Sequence, residues 1–392
     1  MSKNNVKKFH LDFLLLGIII LLAILSIYSV HLAKVIMPSY KQADLYQKQA
    51  LWYVIGFALL FILLKLGIDR LFSLSKYLYI ILMFLLVVLL IDKFLIDLPL
   101  IKPISGTTAW FQIPGIGSFQ PSEFMKIALI LESSKIIAKH NENKSKESFK
   151  SDLSLFLKIA IIAIPPLLIT ILQPDTGIPI ITIISLMVMV FISGIKKEWI
   201  IIFAAISFIL IVTFLLLFYN KPDILVKLLG QQYKLNRFYG WLETENYSRS
   251  YGLQLYTSLL VIGSAGLTGH PINQVYISFP EPQTDFIYSV ILQNHGYLGA
   301  LLVIFIYILL DFKLMTIAYN SNSERERMVI IGMLGMLIFQ QIYNMGMICG
   351  IFPITGITLP FISYGGSSML SYFIPLAVAF FLYSENKDYR NH

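Results

Sequence analysis

Charged residues are scarce in this chain, and their scarcity excludes most classes of soluble protein. Only 13% of the 392 residues are Asp, Glu, Lys or Arg, whereas 57% are hydrophobic. A soluble domain carries about a quarter charged residues. Cys349 is the single cysteine, so an internal disulfide is excluded. The six histidines are scattered without metal-ligand spacing, which argues against a zinc site.

Long apolar runs take the place of the missing charges, and they predict transmembrane helices. A hydrocarbon core needs about 20 apolar residues per helix, and continuous rather than alternating runs argue against a membrane β-barrel. We predict an all-α integral membrane protein, a ten-span polytopic helical bundle with re-entrant and large outer loops. Residues 1–392 form a single membrane domain in this interpretation, with a large extracytoplasmic loop at about 220–283. The predicted spans are 11–33, 50–67, 74–95, 121–139, 153–172, 175–195, 199–219, 284–311, 328–348 and 366–384.

The distribution of basic residues predicts how the bundle is oriented. With both termini in the cytoplasm, the inner segments hold eighteen of the 30 Lys and Arg residues and the short outer segments hold five. Cytoplasmic loops are enriched in Lys and Arg, and long translocated loops count little. The net charge of +8 therefore reflects membrane topology rather than nucleic-acid binding. We predict a multi-pass protein of the cytoplasmic membrane with both termini cytoplasmic and its chemistry on the outer face.

Three predicted outer segments are too structured to be plain linkers. The segment 96–120 is rich in proline and glycine and carries Trp110, and the segment 220–283 is amphipathic. The third segment, 349–365, is apolar yet interrupted by glycine and proline. Irregular backbone at membrane depth is tolerated only when it is packed in protein or lines a cavity. This segment is therefore either a re-entrant loop that contributes to a site or a packed cap over the bundle.

Ionisable residues at the edges of spans are costly, which makes them candidate site residues. Glu123 and Lys126 are spaced i, i+3, so they can pair on one helix face, and a structural ion pair is the favoured interpretation. Asp175 precedes the sixth span closely enough to cap it, and a role in a site is equally compatible with that position. Trp110 is either an interfacial aromatic anchor or part of a site.

A second acidic cluster lies at residues 280–285, where the sequence reads PEPQTD. Asp285 stands at the start of the eighth predicted span, where a carboxylate favours the helix dipole and can act as a cap. A carboxylate held between rigid prolines and facing outward is also typical of a general base. Glu281 shares this cluster, and Arg237 is a charged candidate in the large outer loop.

Five motifs together resemble one family over nearly the whole chain. They are GTTAWFQIPGIGSFQPSEFMK (106–126), QPDTG (173–177), YGLQLYTSLLVIGSAGLTG (251–269), FPEPQTDFIYSVI (279–291) and PITGITLPFISYGGSSML (353–370). Several motifs in the right order make the match specific. On this basis the chain resembles the SEDS family (shape, elongation, division and sporulation) of RodA- and FtsW-like proteins, and its short termini slightly favour the RodA-like branch.

The resemblance implies a ten-span fold with cytoplasmic termini and a peptidoglycan glycosyltransferase activity in the bacterial cytoplasmic membrane. Such an enzyme polymerises lipid II into β-1,4 glycan strands with inverting displacement of undecaprenyl diphosphate. Asp285 matches the family's key acidic residue and is the expected general base. The expected substrate-binding residues are Trp110, Glu123, Lys126, Asp175, Arg237, Glu281, Ser363 and Ser367.

Expected partners are a class B penicillin-binding protein (a transpeptidase), lipid II with the nascent glycan strand, and membrane lipid, but no nucleic acid. A divalent cation, Mg or Mn, is a candidate cofactor, and its ligands are left undetermined. A lipid II flippase and a non-catalytic scaffold for a cell-wall synthase are the competing functions. Apolar span centres argue against the flippase. The departures from the family pattern at Thr108 and Ile348 keep the scaffold open.

Overall fold

In the computed structural model, the regular secondary structure of the described residues is helical apart from one short hairpin and an isolated β-bridge. The described residues are 9–37, 44–96, 98–101, 107–113, 117–144, 148–229, 232–272 and 274–390. Parts of two predicted outer segments, residues 97, 102–106, 114–116, 230–231 and 273, lie outside this description. The elements are α1 (Phe13–Ile36), α2 (Leu45–Leu66), α3 (Ile68–Phe94), β1 (Phe111–Ile113), β2 (Gly117–Phe119), α4 (Pro121–Glu142), α5 (Phe149–Leu172), α6 (Gly177–Ile192), α7 (Glu198–Asn220), α8 (Pro222–Leu229), α9 (Gln232–Leu242), α10 (Leu253–Ser264), α11 (Ile287–Tyr319), α12 (Glu324–Ile348) and α13 (Gly366–Arg390).

The ten predicted spans correspond to α1–α7 and α11–α13, which confirms the all-α, multi-pass membrane fold. Eight of these helices are long and apolar enough to cross a bilayer. The other two are α6, which has 16 residues, and α4, which is rich in buried polar and charged residues. Both are packed inside the bundle, where a helix needs neither full length nor a continuous apolar surface.

The alternation of the helices gives the bundle two ends. We call the end where α4 and α11 begin the site end, and the end where α1 and α12 begin the terminal end. The hairpin β1–β2, the helices α8–α10 and the segment 349–365 all lie at the site end. The short connections α2–α3, α4–α5, α6–α7 and α11–α12 lie at the terminal end.

The helix α11 runs to Tyr319, eight residues beyond the predicted end of its span at 311. Two charged residues, Asp311 and Lys313, lie at and just beyond the predicted end and interrupt the apolar run. In the structure both charges have partners on neighbouring helices or their caps. Gln341 donates to Asp311 over 3.2 Å, and Lys313 pairs with Asp12 over 2.7 Å. Partnered charges are tolerated at depth, so the helix continues.

A break at Gly296 divides α11 into a short first helix and a long second one. Gly296 has φ +61°, and a methyl group added there would lie 2.5 Å from the backbone of Leu267 and Gly269. The break lets the segment after α10 cross close to the helix. His270 N–H donates to the Gln293 carbonyl over 2.8 Å at this crossing.

The segment 349–365 is re-entrant rather than a cap over the bundle. Its residues Ile357, Phe361 and Ile362 are buried. The Ser26 hydroxyl, from the middle of α1, donates to the Ile362 carbonyl over 2.9 Å. Tyr53 of α2 donates to the Phe361 carbonyl in the same way. Backbone groups at this depth are satisfied by buried side chains, which is what irregular backbone in a membrane requires.

Candidate active site

Asp285 lies two residues before α11 and does not cap that helix. The cap position is Phe286, and no side chain caps the helix there. The Asp285 side chain is partly exposed. Within the described part of the chain, no hydrogen bond to its carboxylate oxygens is found. The capping interpretation is therefore wrong for Asp285, and its carboxylate is left available for chemistry.

The surroundings of Asp285 raise its pKa towards neutrality. Burial is the largest cause and the nearby charge of Glu281 adds to it, so that the pKa is about 7 instead of 3.8 with all contributions included. The positive charge of Arg237, from α9, opposes this and lowers the pKa. Three residues predicted for the site, Asp285, Glu281 and Arg237, are thus close enough to act on one another.

The backbone on either side of Asp285 is held by α12 and by the re-entrant segment. Asn344 of α12 donates through its amide to the Asp285 carbonyl over 2.9 Å and to the Ile357 carbonyl over 2.7 Å. The Ser363 hydroxyl donates to the Thr284 carbonyl over 2.7 Å. These bonds fix the carboxylate by fixing its backbone, because they come from two different elements.

Gly356 of the re-entrant segment lies next to the Asp285 carboxylate. A methyl group added at this glycine would lie 3.3 Å from Asp285 Oδ2. Gly356 also has φ +79°, a conformation that L side chains rarely adopt. The backbone conformation therefore favours glycine next to Asp285, and a larger residue there would also crowd the carboxylate.

A second polar cluster forms around the starts of α4 and α6. Glu123 and Lys126 form the ion pair that their spacing predicts, and both side chains are buried. The Lys126 ammonium also lies 4.6 Å from the centre of the Tyr372 ring. The Gln120 amide donates to Asp175 Oδ2 over 2.8 Å. Four polar side chains, Gln120 before α4, Glu123 and Lys126 in α4, and Tyr372 in α13, thus form one cluster with Asp175.

Asp175 fulfils the capping interpretation and also belongs to this cluster. Its Oδ1 accepts the Ile178 N–H over 3.3 Å at the start of α6. Burial raises the pKa of Asp175 to about 6, with Glu123 raising it and Lys126 lowering it. Asp175 is therefore both a helix cap and a member of the polar cluster, which are the two interpretations that the sequence leaves open.

Consecutive residues of the re-entrant segment connect the two clusters. Gly356 packs against Asp285, and the side chain of Ile357 packs against Gly177, which lies beside Asp175. The Ser367 hydroxyl accepts the Gln120 N–H over 3.0 Å and donates to the Ser118 carbonyl over 3.2 Å. The hydroxyls of Ser363 and Ser367 therefore both form hydrogen bonds with backbone groups that support the site.

For Trp110 the described residues show no contact that joins it to either polar cluster. It precedes β1 at the site end and is half-buried. Among the described residues, no ring pair or hydrogen bond involves its indole. The two departures from the family pattern have buried settings: the Thr108 hydroxyl has no hydrogen-bond partner in the described part, and Ile348 is fully buried.

Three residues that support the site were not among the predicted site residues: Gln120, Asn344 and Tyr372. Each is polar and lies in or beside an apolar span, which is the signal that would have identified them. The described residues contain no group of three or more His, Cys, Asp or Glu side chains arranged to bind a metal. The described residues alone therefore do not form a metal-binding site with three or more such ligands.

A polytopic helical bundle that holds a carboxylate of raised pKa at one end, without a hydrogen bond, has the features of a membrane-embedded enzyme. The chain belongs to the family described as Cell cycle protein, which groups FtsW, RodA and SpoVE and matches residues 9–387.

Relatives of known name share this family over most of their length. Stage V sporulation protein E of Bacillus subtilis (strain 168) is 30% identical over 373 residues, which cover 93% of this chain and 94% of that protein. A protein of Wigglesworthia glossinidia brevipalpis named probable peptidoglycan glycosyltransferase FtsW is 29% identical over 386 residues, covering 96% of this chain and 94% of that protein.

Solved structures share the fold. The rod shape determining protein RodA of Thermus thermophilus superposes with a TM-score of 0.64 at 25% identity, covering 96% of this chain and 97% of that one. A chain from a structure described as the structural coordination of polymerization and crosslinking by a peptidoglycan synthase complex superposes with a TM-score of 0.75 at 23% identity. That match covers 97% of this chain and 99% of that one.

Proposed function

We propose that this chain is a peptidoglycan glycosyltransferase that polymerises lipid II into β-1,4 glycan strands. Membership of the family and the names of its relatives support the reaction class. The single observation that carries the proposal is Asp285, a carboxylate without a hydrogen bond in the described part and with a pKa of about 7. A general base works best when its pKa lies near the operating pH.

In the proposed reaction, the 4-hydroxyl of one saccharide attacks the anomeric carbon of another. The C–O bond to the lipid diphosphate breaks as the new glycosidic bond forms, and the configuration at the anomeric carbon inverts. Asp285 takes the proton of the attacking hydroxyl. The half-buried position of Asp285 beside Gly356 suits this role, because the fixed backbone aims the carboxylate without spending it on a structural bond.

The departing diphosphate develops negative charge, and cations near it lower the barrier. The two protein candidates are Arg237, whose charge acts on Asp285, and Lys126, which pairs with Glu123 and faces Tyr372. We further propose that a divalent cation, Mg or Mn, is carried by the diphosphate itself. Mg²⁺ is commonly held by one or two carboxylates together with substrate phosphates, and Glu281 supplies a carboxylate beside Asp285.

We propose that the site end faces outward from the bacterial cytoplasmic membrane, with both termini in the cytoplasm. The excess of basic residues in the segments of the terminal end supports this orientation. A class B penicillin-binding protein is the proposed partner, since polymerised glycan strands need a transpeptidase to crosslink them. The likeness in fold to a chain of a peptidoglycan synthase complex supports such an assembly.

The test is lipid II polymerisation by purified Asp285→Ala protein, with and without the partner transpeptidase. Removing a general base lowers the rate by roughly 10²–10⁴-fold. Asp223→Ala is the matched control, because Asp223 is an exposed carboxylate in α8 at the same end. Unchanged polymer yield from folded Asp285→Ala protein contradicts the assignment of the base. Transfer of lipid II across liposomes by the wild-type protein, without polymer, supports a flippase instead.

A further inference from the structure

A basic cavity lies at the terminal end of the bundle, on the opposite side of the membrane from the candidate active site. It has a volume of about 330 Å³ and opens between the end of α4 and the start of α5. Its lining residues are Ile136, Lys139, His140, Asn143, Lys144, Ser151 and Lys158. The polar ones all carry hydrogen-bond donors, and no carboxylate is part of the lining.

One wall of the cavity is held rigidly by a buried carboxylate beneath it. Asp152 is fully buried and accepts Lys144 Nζ over 3.2 Å and the Lys196 N–H over 3.0 Å. Lys144 Nζ also donates to the Gly194 carbonyl over 2.8 Å. An ammonium has three donors, so one donor of Lys144 remains after these bonds. The Ser151 hydroxyl is fixed against His140 over 3.1 Å.

The other two lysines of the cavity are not held in an ion pair among the described residues. Within the described part of the chain, none of the ion pairs involves Lys139 or Lys158. Both side chains are exposed. The lining of the cavity therefore combines lysines and neutral donors without a carboxylate of its own, which is the composition of a site for an anion.

The position of Lys158 indicates that the anion belongs to a lipid. Lys158 is the tenth residue of α5, about 13 Å along the helix at 1.5 Å per residue. Its neighbours Leu157 and Ile161 are 56% and 71% exposed, so this face of α5 meets the hydrocarbon. A lysine facing lipid extends its ammonium towards the headgroup level, where it meets phosphate.

We propose that the cavity between α4 and α5 binds the phosphodiester headgroup of an anionic membrane lipid. Lys139 and Lys158 supply the charge, and Lys144 and Ser151 supply fixed groups at the back of the cavity. The acyl chains run along the exposed apolar face of α5, which a water-soluble phosphate cannot use. The proposed lipid site lies between α4 and α5. At their opposite ends, the same two helices lead to Glu123 and Asp175 of the polar cluster at the site end.

The experiment titrates purified full-length protein in detergent with phosphatidylglycerol and measures bound lipid by native mass spectrometry. The variant is the double substitution Lys139→Gln and Lys158→Gln. Each lysine near a membrane surface contributes enough attraction to an anionic lipid that the association constant should fall about tenfold or more. Neither lysine has an ion pair, so the variant should fold, and its melting temperature without added lipid checks this.

The matched control is Lys65→Gln with Lys76→Gln, which removes the same charge at the same end without touching the cavity. Both lysines are exposed, on the last turn of α2 and the start of α3. An equal loss of phosphatidylglycerol from variant and control overturns the proposal. Glycerol phosphate tests the alternative source, since it carries the phosphate without acyl chains. Binding of glycerol phosphate as tight as that of phosphatidylglycerol overturns the assignment to a lipid.

Discussion

The helices α7 and α12 are both membrane spans, yet they occupy opposite environments. The central stretch of α7 is the most hydrophobic of the eight spans, and none of it is buried. The central stretch of α12 is among the least hydrophobic, and 72% of it is buried. Lipid tails are as apolar as leucine side chains, so an apolar helix gains nothing from leaving the lipid and can lie at the surface of the bundle. Polar residues therefore mark the interior of this bundle, and apolar ones mark its surface.

The polar residues of α12 explain its position. Gln340 bonds to Tyr372, Gln341 to Asp311, and Asn344 to the backbone of Asp285. Each of these bonds reaches a different element. By contrast, α7 contacts its neighbours through aromatic rings near its two ends, such as Trp199 and Phe218. A helix with polar bonds along its length is held inside the bundle, and one with apolar contacts at its ends is not.

The largest effect on stability is expected from the buried ion pair of α4, which shares the interior with α12. Lys126→Met should cost about 3–5 kcal/mol, because it leaves Glu123 as an uncompensated buried charge. Adding Glu123→Gln should recover most of that loss. Thermal unfolding of the purified single and double variants measures both. Equal melting temperatures for wild type and Lys126→Met would show that the pair does not support the interior.

The same substitution in the two compared helices should give different results. Leu337 of α12 is fully buried, and Leu337→Ala should cost about 2–5 kcal/mol through the cavity that it leaves. Leu210 of α7 is 63% exposed, and Leu210→Ala should stay within about 0.5 kcal/mol of wild type. Unfolding of the two variants under identical conditions measures the difference. Similar costs would contradict the lipid-facing position of α7.

A smaller loss of stability, with a larger loss of activity, is expected at Asn344. Asn344→Leu removes hydrogen bonds to two buried carbonyls and should cost about 1–3 kcal/mol. It should also lower the polymerisation rate, because the backbone of Asp285 loses a support. Thr213→Leu is the control, since Thr213 is exposed on α7. A normal rate in folded Asn344→Leu protein would show that this support is dispensable.

The last prediction concerns pH and separates Asp285 from the buried Glu123–Lys126 pair. Its pKa is raised from 3.8 to about 7, so the folded protein binds this proton more tightly than the unfolded chain does. The resulting stabilisation is complete below about pH 4 and is lost as the pH rises through 7. Asp285→Asn should therefore gain stability relative to wild type between about pH 5 and pH 8. If the difference in melting temperature between Asp285→Asn and wild type is the same at pH 5 and at pH 8, the raised pKa is disproved.

The sequence predicts the helices well, because a bilayer imposes a length and an apolar surface on every span. It also predicts the pairing of Glu123 with Lys126, which depends only on helical spacing. The sequence does not predict the end of α11. Asp311 interrupts the apolar run, and its partner Gln341 lies on α12. The partners of a charge lie on another helix, so the local pattern does not contain them.

The chemistry of the site depends on contacts between distant parts of the chain. Whether Asp285 caps α11 or remains available is decided by the local backbone, and the pattern of residues allows both. The role of Gly356 is decided by its distance from Asp285 Oδ2 in the folded chain. Family resemblance selects Asp285, whereas the support by Asn344 and Ser363 emerges only from the structure.

The re-entrant segment also has a consequence for how the protein is made. Ser26 and Tyr53 enter the membrane early in synthesis, but the carbonyls that they bind, on Ile362 and Phe361, are made more than 300 residues later. The site therefore assembles after most helices have been inserted. A nascent chain that stops before this segment lacks these contacts, which support the candidate active site.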